Sequence, residues 1–418
     1  MSYPTTEEPK SLPIESSQKA GIFEKLLVKQ LSKLVVGHLH IQTPHNSYRL
    51  GQGGEPGLVA TLQVENNEFF RKAVLGGSLG VADSYSDGDW STPDMVKLFR
   101  LFLQNQDVMD SMEGGLATIL NKLAMWSYQL SQKNTIKGSR KNISLHYDLG
   151  NDFYELMLDP TMTYSCGIYE KEESTLKEAS LAKYDRIIDE LDIQPHHHVL
   201  EIGCGWGGFA SRLAERTQAK LTATTISEQQ FQYAQKRMEK EGVGDRIQII
   251  KQDYRTLEGK FDRIVSIEMI EAVGHEYLPA YFSSISNLLK STGAAMIQAI
   301  TMPDYRYERY LKKVDYIRTR VFPGSCVPSV SAMIAAATEK TDLRPLDLHD
   351  LGYHYTRTLN EWRQRFNENR EKIESMGYDK NFQRYWEYYL CYCEAGFAEG
   401  YTSDVHLLLS KPHCRLKR

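Results

Sequence analysis

The sequence predicts an α/β protein with a doubly wound, mostly parallel sheet, helical insertions and a small mixed α+β N-terminal domain. Three observations predict this fold class. Strand and helix patterns alternate between residues 199 and 300, a glycine-rich turn joins the first of these strands to its helix, and the first 130 residues show short strand and helix patterns without that alternation. Regular alternation of strands and helices is typical of a parallel sheet covered by helices on both faces.

Length, composition and charge limit the classes of protein to which the chain can belong. Its 418 residues exceed one typical domain, and 41% apolar residues are sufficient for a core. The formal net charge of −4 argues against a general nucleic-acid-binding surface, because phosphate recognition requires a basic field. The sequence has no secretory pattern and no apolar stretch of the roughly 18 residues that a spanning helix needs. We therefore expect a cytoplasmic protein, with its six cysteines reduced.

The N-terminal part is predicted to be a binding or positioning domain at residues 21–130. Residues 1–20 are polar and contain prolines, so we expect them to be disordered. Residues 131–144 are polar and basic without an apolar pattern, which indicates a linker. The patterns within the domain predict a helix at 22–34, strands at 37–43 and 57–64, a helix at 68–75, a turn-rich region at 77–90 and helical structure from 94 to about 130.

The first predicted helix, at 22–34, is amphipathic and basic. Lys25, Lys29 and Lys33 are spaced four residues apart beside its apolar stripe. A helix of this kind can lie on an anionic membrane surface. The alternative is a surface helix that packs on its own domain, which is the commoner role of such a pattern.

Residues 145–418 are predicted to form the second domain, which contains the alternating elements. The patterns predict a helix at 176–191, a strand beginning at 199, a strand at 220–226, a helix at 228–241, strands at 246–250 and 262–267, a helix at 276–290, a strand at 294–300, helices at 306–320 and 331–340 and a last strand at 405–409. An aromatic-rich helical run at 385–397 is interpreted as core packing, and the alternative is that it roofs an apolar substrate channel.

The run from Val199 to Gly208 reads as a strand that breaks into a glycine loop at the start of a helix. Its glycines allow the backbone to approach a ligand at the positive end of that helix. The same glycines satisfy a dinucleotide-binding pattern, so a dehydrogenase is an alternative to a methyltransferase that uses S-adenosylmethionine. The next strand, however, ends in threonines instead of the acid that holds a dinucleotide ribose. The carboxylate of Glu201 suits the positive amino-acid group of S-adenosylmethionine and would repel a pyrophosphate.

Short motifs follow one another in a fixed order along the chain. They are His146-Tyr-Asp, Tyr164-Ser-Cys-Gly, Glu201-Ile-Gly-Cys-Gly-Trp-Gly, Thr225-Ile-Ser with Gln230, Phe261-Asp-Arg-Ile-Val-Ser, Glu271, Phe322-Pro-Gly and His354-Tyr-Thr-Arg-Thr-Leu. Together they resemble the cyclopropane-fatty-acyl-phospholipid synthase family, which includes the mycolic acid cyclopropane synthases. The resemblance implies a Rossmann-like methyltransferase sheet. It also implies methyl transfer from S-adenosylmethionine to a cis double bond of a phospholipid acyl chain, after which proton loss from the added methyl closes a cyclopropane ring.

The resemblance also implies which residues bind S-adenosylmethionine. Tyr164 and Ser165 would contact the methionine end of the cofactor. The central part of the cofactor would lie against Glu201, Gly203, Cys204, Gly205 and Gly207. Thr225 and Gln230 would hydrogen-bond the ribose hydroxyls. Asp253 and Tyr254, which follow the third predicted strand, would border the adenine.

In the family a bound bicarbonate ion serves as the base. The positions that match its ligands here are Cys166, Glu271, Ile300 and Tyr355, and the Tyr355 ring would also stabilise the cationic acyl chain. Gln298 stands where the family usually has histidine, and a glutamine can donate a hydrogen bond to bicarbonate but cannot carry a proton. This departure leaves a methylene-branched product open, which a reductase partner would convert to a methyl branch.

Two other functions also remain open. A small-molecule N-methyltransferase would share the second domain, and a non-catalytic lipid-binding protein would use only the first. The expected partner is unsaturated phospholipid at the inner face of the membrane, where the protein would be peripherally bound, and a homodimer would ease access to it. We expect no nucleic-acid partner and no metal ion, because the consecutive histidines at 196–198 lack partners at ligand spacing.

Overall fold

The computed structural model describes residues 20–53, 57–108, 149–313 and 315–417. Residues 1–19 of the predicted disordered segment, the predicted linker at 131–144 and the His146-Tyr-Asp motif lie outside these ranges. The chain divides into two compact units. The first comprises Met1–Lys122 and Tyr378–Glu399, and the second comprises Leu123–Gly377 and Gly400–Arg418. No helix in the described ranges is long and apolar enough to cross a membrane.

The first unit combines a small mixed sheet with helices. Its elements in the described ranges are α1 (Ile22–Leu31), β1 (Gly37–Gln42), β2 (Ser47–Gly53), β3 (Val59–Val64), α2 (Glu68–Ser86), β4 (Trp90–Ser91) and α3 (Met95–Gln104). The sheet has the order β2-β1-β3-β4, in which β1 pairs antiparallel with β2 and parallel with β3. The pattern analysis missed β2. The turn-rich region predicted at 77–90 is wrong over most of its length, because α2 continues to Ser86 across a kink at Gly77, whose φ of 55° few residues other than glycine adopt.

The last helix of the chain belongs to this first unit. Helix α13 (Lys380–Ala398) packs its aromatic face on α2 and α3, with the Tyr388 ring 4.9 Å from that of Phe99. The Arg384 guanidinium lies over the Tyr85 ring and donates to the backbone carbonyls of Tyr85 and Trp90. The aromatic run at 385–397 therefore forms core packing within this unit.

The second unit is built on a seven-stranded sheet in the described ranges. Its strands are β5 (His198–Ile202), β6 (Lys220–Thr225), β7 (Ile247–Lys251), β8 (Phe261–Ile267), β9 (Leu289–Thr301), β10 (Arg344–Asp350) and β11 (Ser403–Ser410). Their order across the sheet is β10-β11-β9-β8-β5-β6-β7. Strands β5 to β9 are all parallel to one another, and β11 runs antiparallel to both of its neighbours. This arrangement confirms the predicted doubly wound, mostly parallel α/β fold.

The helices of this unit in the described ranges are α4 (Asn151–Met157), α5 (Leu176–Glu190), α6 (Gly208–Arg216), α7 (Glu228–Glu241), α8 (Leu278–Leu288), α9 (Asp304–Leu311), α10 (Val330–Glu339), α11 (Gly352–Glu368) and α12 (Arg370–Ser375). Helices α5, α6 and α7 share one apolar cluster with the strands of the sheet, and α8 and α10 share a second. The predicted helix at 306–320 is interrupted: α9 ends at Leu311, and a single π-helical turn follows at Ile317–Val321. Arg318 supports the interruption, because its side chain is buried and donates to the carbonyls of Lys313 and Ser325.

The topology determines where a ligand can bind. The carboxyl ends of β5, β6, β8 and β9 meet at one edge of the sheet, because these strands are parallel and adjacent. Ligands of open α/β sheets bind outside this edge. The strands therefore gather at this edge the glycine loop after β5, the threonines that end β6 and the acidic segment after β8.

Candidate active site

The glycine loop is fixed between β5 and α6. The backbone N–H groups of Gly203 and Cys204 both donate to the Thr224 carbonyl, at 3.0 and 2.8 Å. Gly203 has a φ of 87°, and a Cβ atom there would lie 3.0 Å from the Met269 side chain. Glycine is therefore required both by the backbone conformation and by the close approach of the segment after β8. The loop lies directly against the residue that follows Glu268.

Glu201 lies at the end of β5 with a carboxylate that lacks one hydrogen-bond partner. Its side chain is buried, and its Oε2 atom has no partner among the described residues. Burial raises the pKa of Glu201 to about 8, and the nearby Lys183 charge opposes this rise. A buried oxygen without a hydrogen-bond partner destabilises the folded protein. A donor group on a bound ligand can supply the missing hydrogen bond. The residue fits the positively charged amino group of S-adenosylmethionine.

The predicted ribose and adenine residues follow β6 and β7. The Thr225 hydroxyl donates to the Gln230 side chain at 2.9 Å, and both residues are buried. The Asp253 carboxylate is held by Arg255, whose backbone N–H and guanidinium both donate to it. The Tyr254 ring packs edge-on against Tyr281. The structure therefore brings Thr225 and Gln230 into contact, whereas Asp253 already has a partner within the protein.

An aromatic wall stands beside the segment that contains the predicted Tyr164 and Ser165. The Trp362 ring lies 5.0 Å from the Tyr164 ring and 6.0 Å from the Tyr355 ring. Tyr154 extends the wall, with its ring 5.4 Å from that of Tyr164. Aromatic faces exclude water and attract a positive charge. Tyr164 is partly exposed and the other three rings are buried, so Tyr164 is the ring of this aromatic wall that a ligand can reach first.

Three of the predicted catalytic residues converge on Glu268, which the sequence reasoning missed. Oε1 of Glu268 accepts from the Cys166 backbone N–H at 2.7 Å and from the Gln298 side-chain amide at 2.9 Å. Oε2 accepts from the Tyr355 hydroxyl at 2.6 Å. The position directly after β8 is a signal that could have identified Glu268, because the ends of parallel strands share one edge of the sheet.

The backbone of Glu268 is also unusual. Its φ is 44°, in the left-handed region that residues other than glycine rarely adopt. Such a conformation costs about 1–3 kcal/mol and persists where the surrounding structure fixes it. The three hydrogen bonds to the Glu268 carboxylate supply part of that constraint.

The Gln298 amide joins Glu268 to a second acid, Asp404 on β11, which is buried. Nε2 of Gln298 donates to Asp404 at 2.7 Å as well as to Glu268, and the β9–β11 register places His406 opposite Gln298. Burial lowers the pKa of His406, so the neutral ring donates to Oε1 of Gln298 and turns the amide N–H groups toward the acids. Burial, followed by the Glu268 charge, raises the pKa of Asp404 well above its usual range.

Lys183 and Cys166 complete the charged cluster. Lys183 is fully buried on α5 and its ammonium contacts the Ser165 hydroxyl. Burial lowers the pKa of Lys183, and the Glu268 charge opposes this change. Burial raises the pKa of the Cys166 thiol well above its usual value, so the thiol stays protonated and the residue contributes its backbone N–H to Glu268.

Glu271 and Ile300, also predicted to be catalytic, form a separate contact. Oε1 of Glu271 accepts from the Ile300 backbone N–H at 2.6 Å. The Oε2 atom is buried and has no partner among the described residues. Burial, followed by the charge of Glu268, raises the pKa of Glu271 to about 8.

The donors that the family resemblance assigns to a bicarbonate ion are therefore already engaged. Bicarbonate would need the same groups of Cys166, Gln298 and Tyr355 that bind the Glu268 carboxylate. These residues do not fit a bound bicarbonate ion, and no chemical step is assigned to it.

Comparison with known proteins connects this site to one family. The family model described as mycolic acid cyclopropane synthetase matches residues 134–407. The tuberculostearic acid methyltransferase UfaA1 of Mycobacterium tuberculosis is 35% identical over 394 residues, which cover 91% of this chain and 90% of that protein. The cyclopropane-fatty-acyl-phospholipid synthase of Escherichia coli is 35% identical over 350 residues, 81% of this chain and 84% of that protein.

Solved structures agree with these matches. The crystal structure of the mycolic acid cyclopropane synthase CmaA1, complexed with SAH and CTAB, is similar to this chain with a TM-score of 0.61 and 29% sequence identity. The similarity covers 65% of this chain and 98% of that one. Its bound SAH supports S-adenosylmethionine as the methyl donor of this chain.

The unpartnered oxygen of Glu201 predicts a loss of cofactor affinity in Glu201→Gln. A hydrogen bond to a charged group is worth about 1.5–3 kcal/mol, so the dissociation constant of S-adenosylmethionine should rise roughly 10- to 150-fold. Isothermal calorimetry measures the change. Glu239→Gln, at an exposed position of α7, is the matched control and should bind like the wild type. Equal affinities for all three proteins would contradict the role of Glu201.

Glu201 and Glu271 also make the stability of the ligand-free protein depend on pH. Each pKa is raised from the usual 4.5 to about 8, so the folded state binds more protons than the unfolded state between these values. The stabilisation from each group is complete below pH 4.5 and is lost as the pH rises through 8, by up to about 1.4 kcal/mol per pH unit.

Urea unfolding at about pH 5.5 and about pH 7.5 tests this dependence. Glu271→Gln should lose less unfolding free energy between the two conditions than the wild type does. Glu239→Gln should lose as much as the wild type. If Glu271→Gln loses as much unfolding free energy between the two pH values as the wild type and Glu239→Gln do, the pKa of Glu271 is not raised in the folded protein.

Proposed function

Because the chain belongs to the mycolic acid cyclopropane synthetase family of S-adenosylmethionine-dependent methyltransferases, we propose that it methylates a cis double bond in an unsaturated phospholipid acyl chain. The observation that carries the proposal is the carboxylate cluster in which Cys166, Gln298 and Tyr355 surround Glu268. The cluster lies at the sheet edge, beside the glycine loop and an aromatic wall. A site of this kind combines a base with an apolar surface, which is what this reaction requires.

The residues of the site meet the chemical demands of the transfer. S-adenosylmethionine supplies an electrophilic methyl group on a positively charged sulfur. An alkene is a weak nucleophile, so the protein must hold both reactants in close alignment. Glu201 holds the amino group of the donor, and Thr225 with Gln230 holds the ribose hydroxyls. Positive charge then moves to the acyl chain, where the ring faces of Tyr355 and Trp362 stabilise it.

The main product we propose is a cyclopropane fatty acyl chain, formed when the added methyl loses a proton and the ring closes. A methylene- or methyl-branched chain is the second candidate. It is favoured by Gln298, which replaces the usual family histidine, and by the relative named as a tuberculostearic acid methyltransferase, which aligns with 91% of this chain. A methylene product needs a hydride shift before the same methyl loses its proton, and a reductase partner would be needed to saturate it.

Product analysis tests the proposed reaction. Purified protein is incubated with S-adenosylmethionine and vesicles of monounsaturated phospholipid, and the released acyl chains are examined by mass and proton spectra. We expect a gain of one CH2 with upfield ring protons. Vinylidene protons would instead establish the branched product.

A parallel incubation with soluble amines tests the alternative N-methyltransferase. Methylation of amines without any gain on vesicle lipids would contradict the proposed function. The same result would leave the assignment as a methyltransferase intact.

The first unit is proposed to contact the membrane through α1. The helix is anchored on its own unit, because Leu27 and Leu31 are buried and Glu24 accepts hydrogen bonds from Asn46 and Tyr48. Its outer face remains available, with Ile22 72% and Leu26 49% exposed. The three lysines of the predicted basic stripe are also exposed: Lys25, Lys29 and Lys33. Exposed apolar side chains beside lysines are typical of interfacial helices.

Charge reversal tests this contact. Lys25→Glu, Lys29→Glu and Lys33→Glu together should weaken binding to phosphatidylglycerol vesicles by at least 100-fold, since each lysine contributes about 1 kcal/mol near an anionic surface. Co-sedimentation measures the binding. The matched control reverses three exposed lysines of the second unit, Lys220, Lys236 and Lys240. If both triple variants bind as the wild type does, α1 is not the membrane contact.

A further inference from the structure

We propose that Glu268 is the base of this enzyme, a carboxylate supplied by the chain itself in the place where the family resemblance puts bicarbonate. The inference rests on the proposed methyl transfer to an acyl chain. It goes beyond that function because it assigns the proton acceptor to a residue of the chain. It also makes the reaction independent of any dissolved anion.

The donors around Glu268 match the needs of a carboxylate. A planar carboxylate needs several donors when it is removed from water. Glu268 has three: a backbone N–H from Cys166, an amide from Gln298 and a hydroxyl from Tyr355, at 2.7, 2.9 and 2.6 Å. Two of the donors bind one carboxylate oxygen and the third binds the other. Bicarbonate presents the same planar group of oxygens, so the side chain satisfies the donors that the ion would otherwise satisfy.

Glu268 lies close to both the cofactor loop and the aromatic wall. Met269, the next residue, packs against Gly203 of the cofactor loop. Tyr355, which donates to Glu268, also has its ring beside Trp362 in the aromatic wall. Glu268 itself is partly exposed, whereas Cys166 and Gln298 are fully buried. The Glu268 carboxylate therefore lies beside both the cofactor loop and the aromatic wall. Its partial exposure leaves one side that a substrate can approach.

Of the two neighbouring acids, Glu268 and Asp404, only Glu268 carries the negative charge. Glu268 and Asp404 share the Gln298 amide, and two carboxylates in one buried site do not both ionise readily. Glu268 accepts three hydrogen bonds, which favour its ionised form. Asp404 accepts from Gln298 through Oδ2, and its Oδ1 is buried without a partner in the described ranges. Asp404 is therefore the protonated partner and Glu268 the available base.

The chemical step balances without another reactant. The methyl group forms a bond to one alkene carbon as its bond to sulfur breaks, which leaves a positive charge on the other alkene carbon. The Glu268 carboxylate takes a proton from the added methyl, and the electron pair of that C–H bond closes the ring. The resulting carboxylic acid returns its proton to water. If the proton comes instead from the acyl chain, the electron pair forms a new double bond.

The test compares the wild type with Glu268→Gln and Glu268→Gly. Product on monounsaturated vesicles is measured in bicarbonate-free buffer and again with added bicarbonate, and calorimetry measures S-adenosylmethionine affinity. Bicarbonate labelled with ¹³C is titrated into each protein as a readout that needs no turnover. Glu239→Gln again serves as the exposed control.

We expect the wild type to be indifferent to bicarbonate and to show no binding of the labelled ion. Glu268→Gln should lose turnover by roughly 10²- to 10⁴-fold, the range that general bases contribute, and should retain cofactor affinity. Glu268→Gly opens the place of the carboxylate, so it should bind bicarbonate and regain product when the ion is added. Glu268→Gln should not be rescued, because its amide still fills the site.

Two outcomes would overturn the inference alone: a wild type that methylates lipid only when bicarbonate is present, or a Glu268→Gln variant within about threefold of wild-type turnover. Both leave the proposed methyl transfer standing. A wild type that methylates no lipid under any condition would refute the proposed function and the inference together. If a variant fails to fold, the bicarbonate dependence of wild-type lipid methylation still tests whether Glu268 is the base.

Discussion

The hydrogen-bonded carboxylate of Glu268 is the interaction on which the second unit's site depends. Its donors come from separate parts of the chain: the segment before α5, strand β9 and helix α11. Burying a charge is costly unless several donors replace the lost water. Because these donors are distant in sequence, the carboxylate is satisfied only when the sheet edge and its covering helix are in place. The hydrogen bonds that position the Glu268 carboxylate therefore also connect the segment before α5, strand β9 and helix α11.

The two ends of the site differ in how their carboxylates are satisfied. At the cofactor end, Glu201 keeps a buried oxygen without a partner in the described ranges, so it is prepared for a ligand that brings its own positive charge. At the substrate end, Glu268 accepts three hydrogen bonds from protein donors, so the donors that a further anion would need are already bound. The parallel strands place both ends at one edge, and Gly203 lets them approach closely. This contrast explains why the site fits S-adenosylmethionine and does not fit an additional anion.

Local patterns predicted the parts of this structure that local physics determines. Strand and helix alternation predicted the sheet. The family resemblance assigned Thr225 and Gln230 to the ribose hydroxyls, and the structure adds that their side chains contact each other. Asp404 was missed because nothing near it in sequence marks it, whereas the position of Glu268 directly after β8 was a usable signal. Their pairing requires the β9–β11 register, which sets residue 404 beside residue 300 across 104 positions of chain. Strand β10 was missed because its side chains are mostly exposed at the sheet edge and it contains Pro345.

The central claim is that the chain supplies its own carboxylate where the family resemblance places a free ion. A high-resolution crystal structure with bound S-adenosylhomocysteine, grown in bicarbonate-containing buffer, tests it most directly. The account predicts that the group within hydrogen-bond distance of the Cys166 N–H, the Gln298 amide and the Tyr355 hydroxyl is the Glu268 side chain, with no separate ion. A bound bicarbonate at these donors, with Glu268 turned away from them, would contradict it.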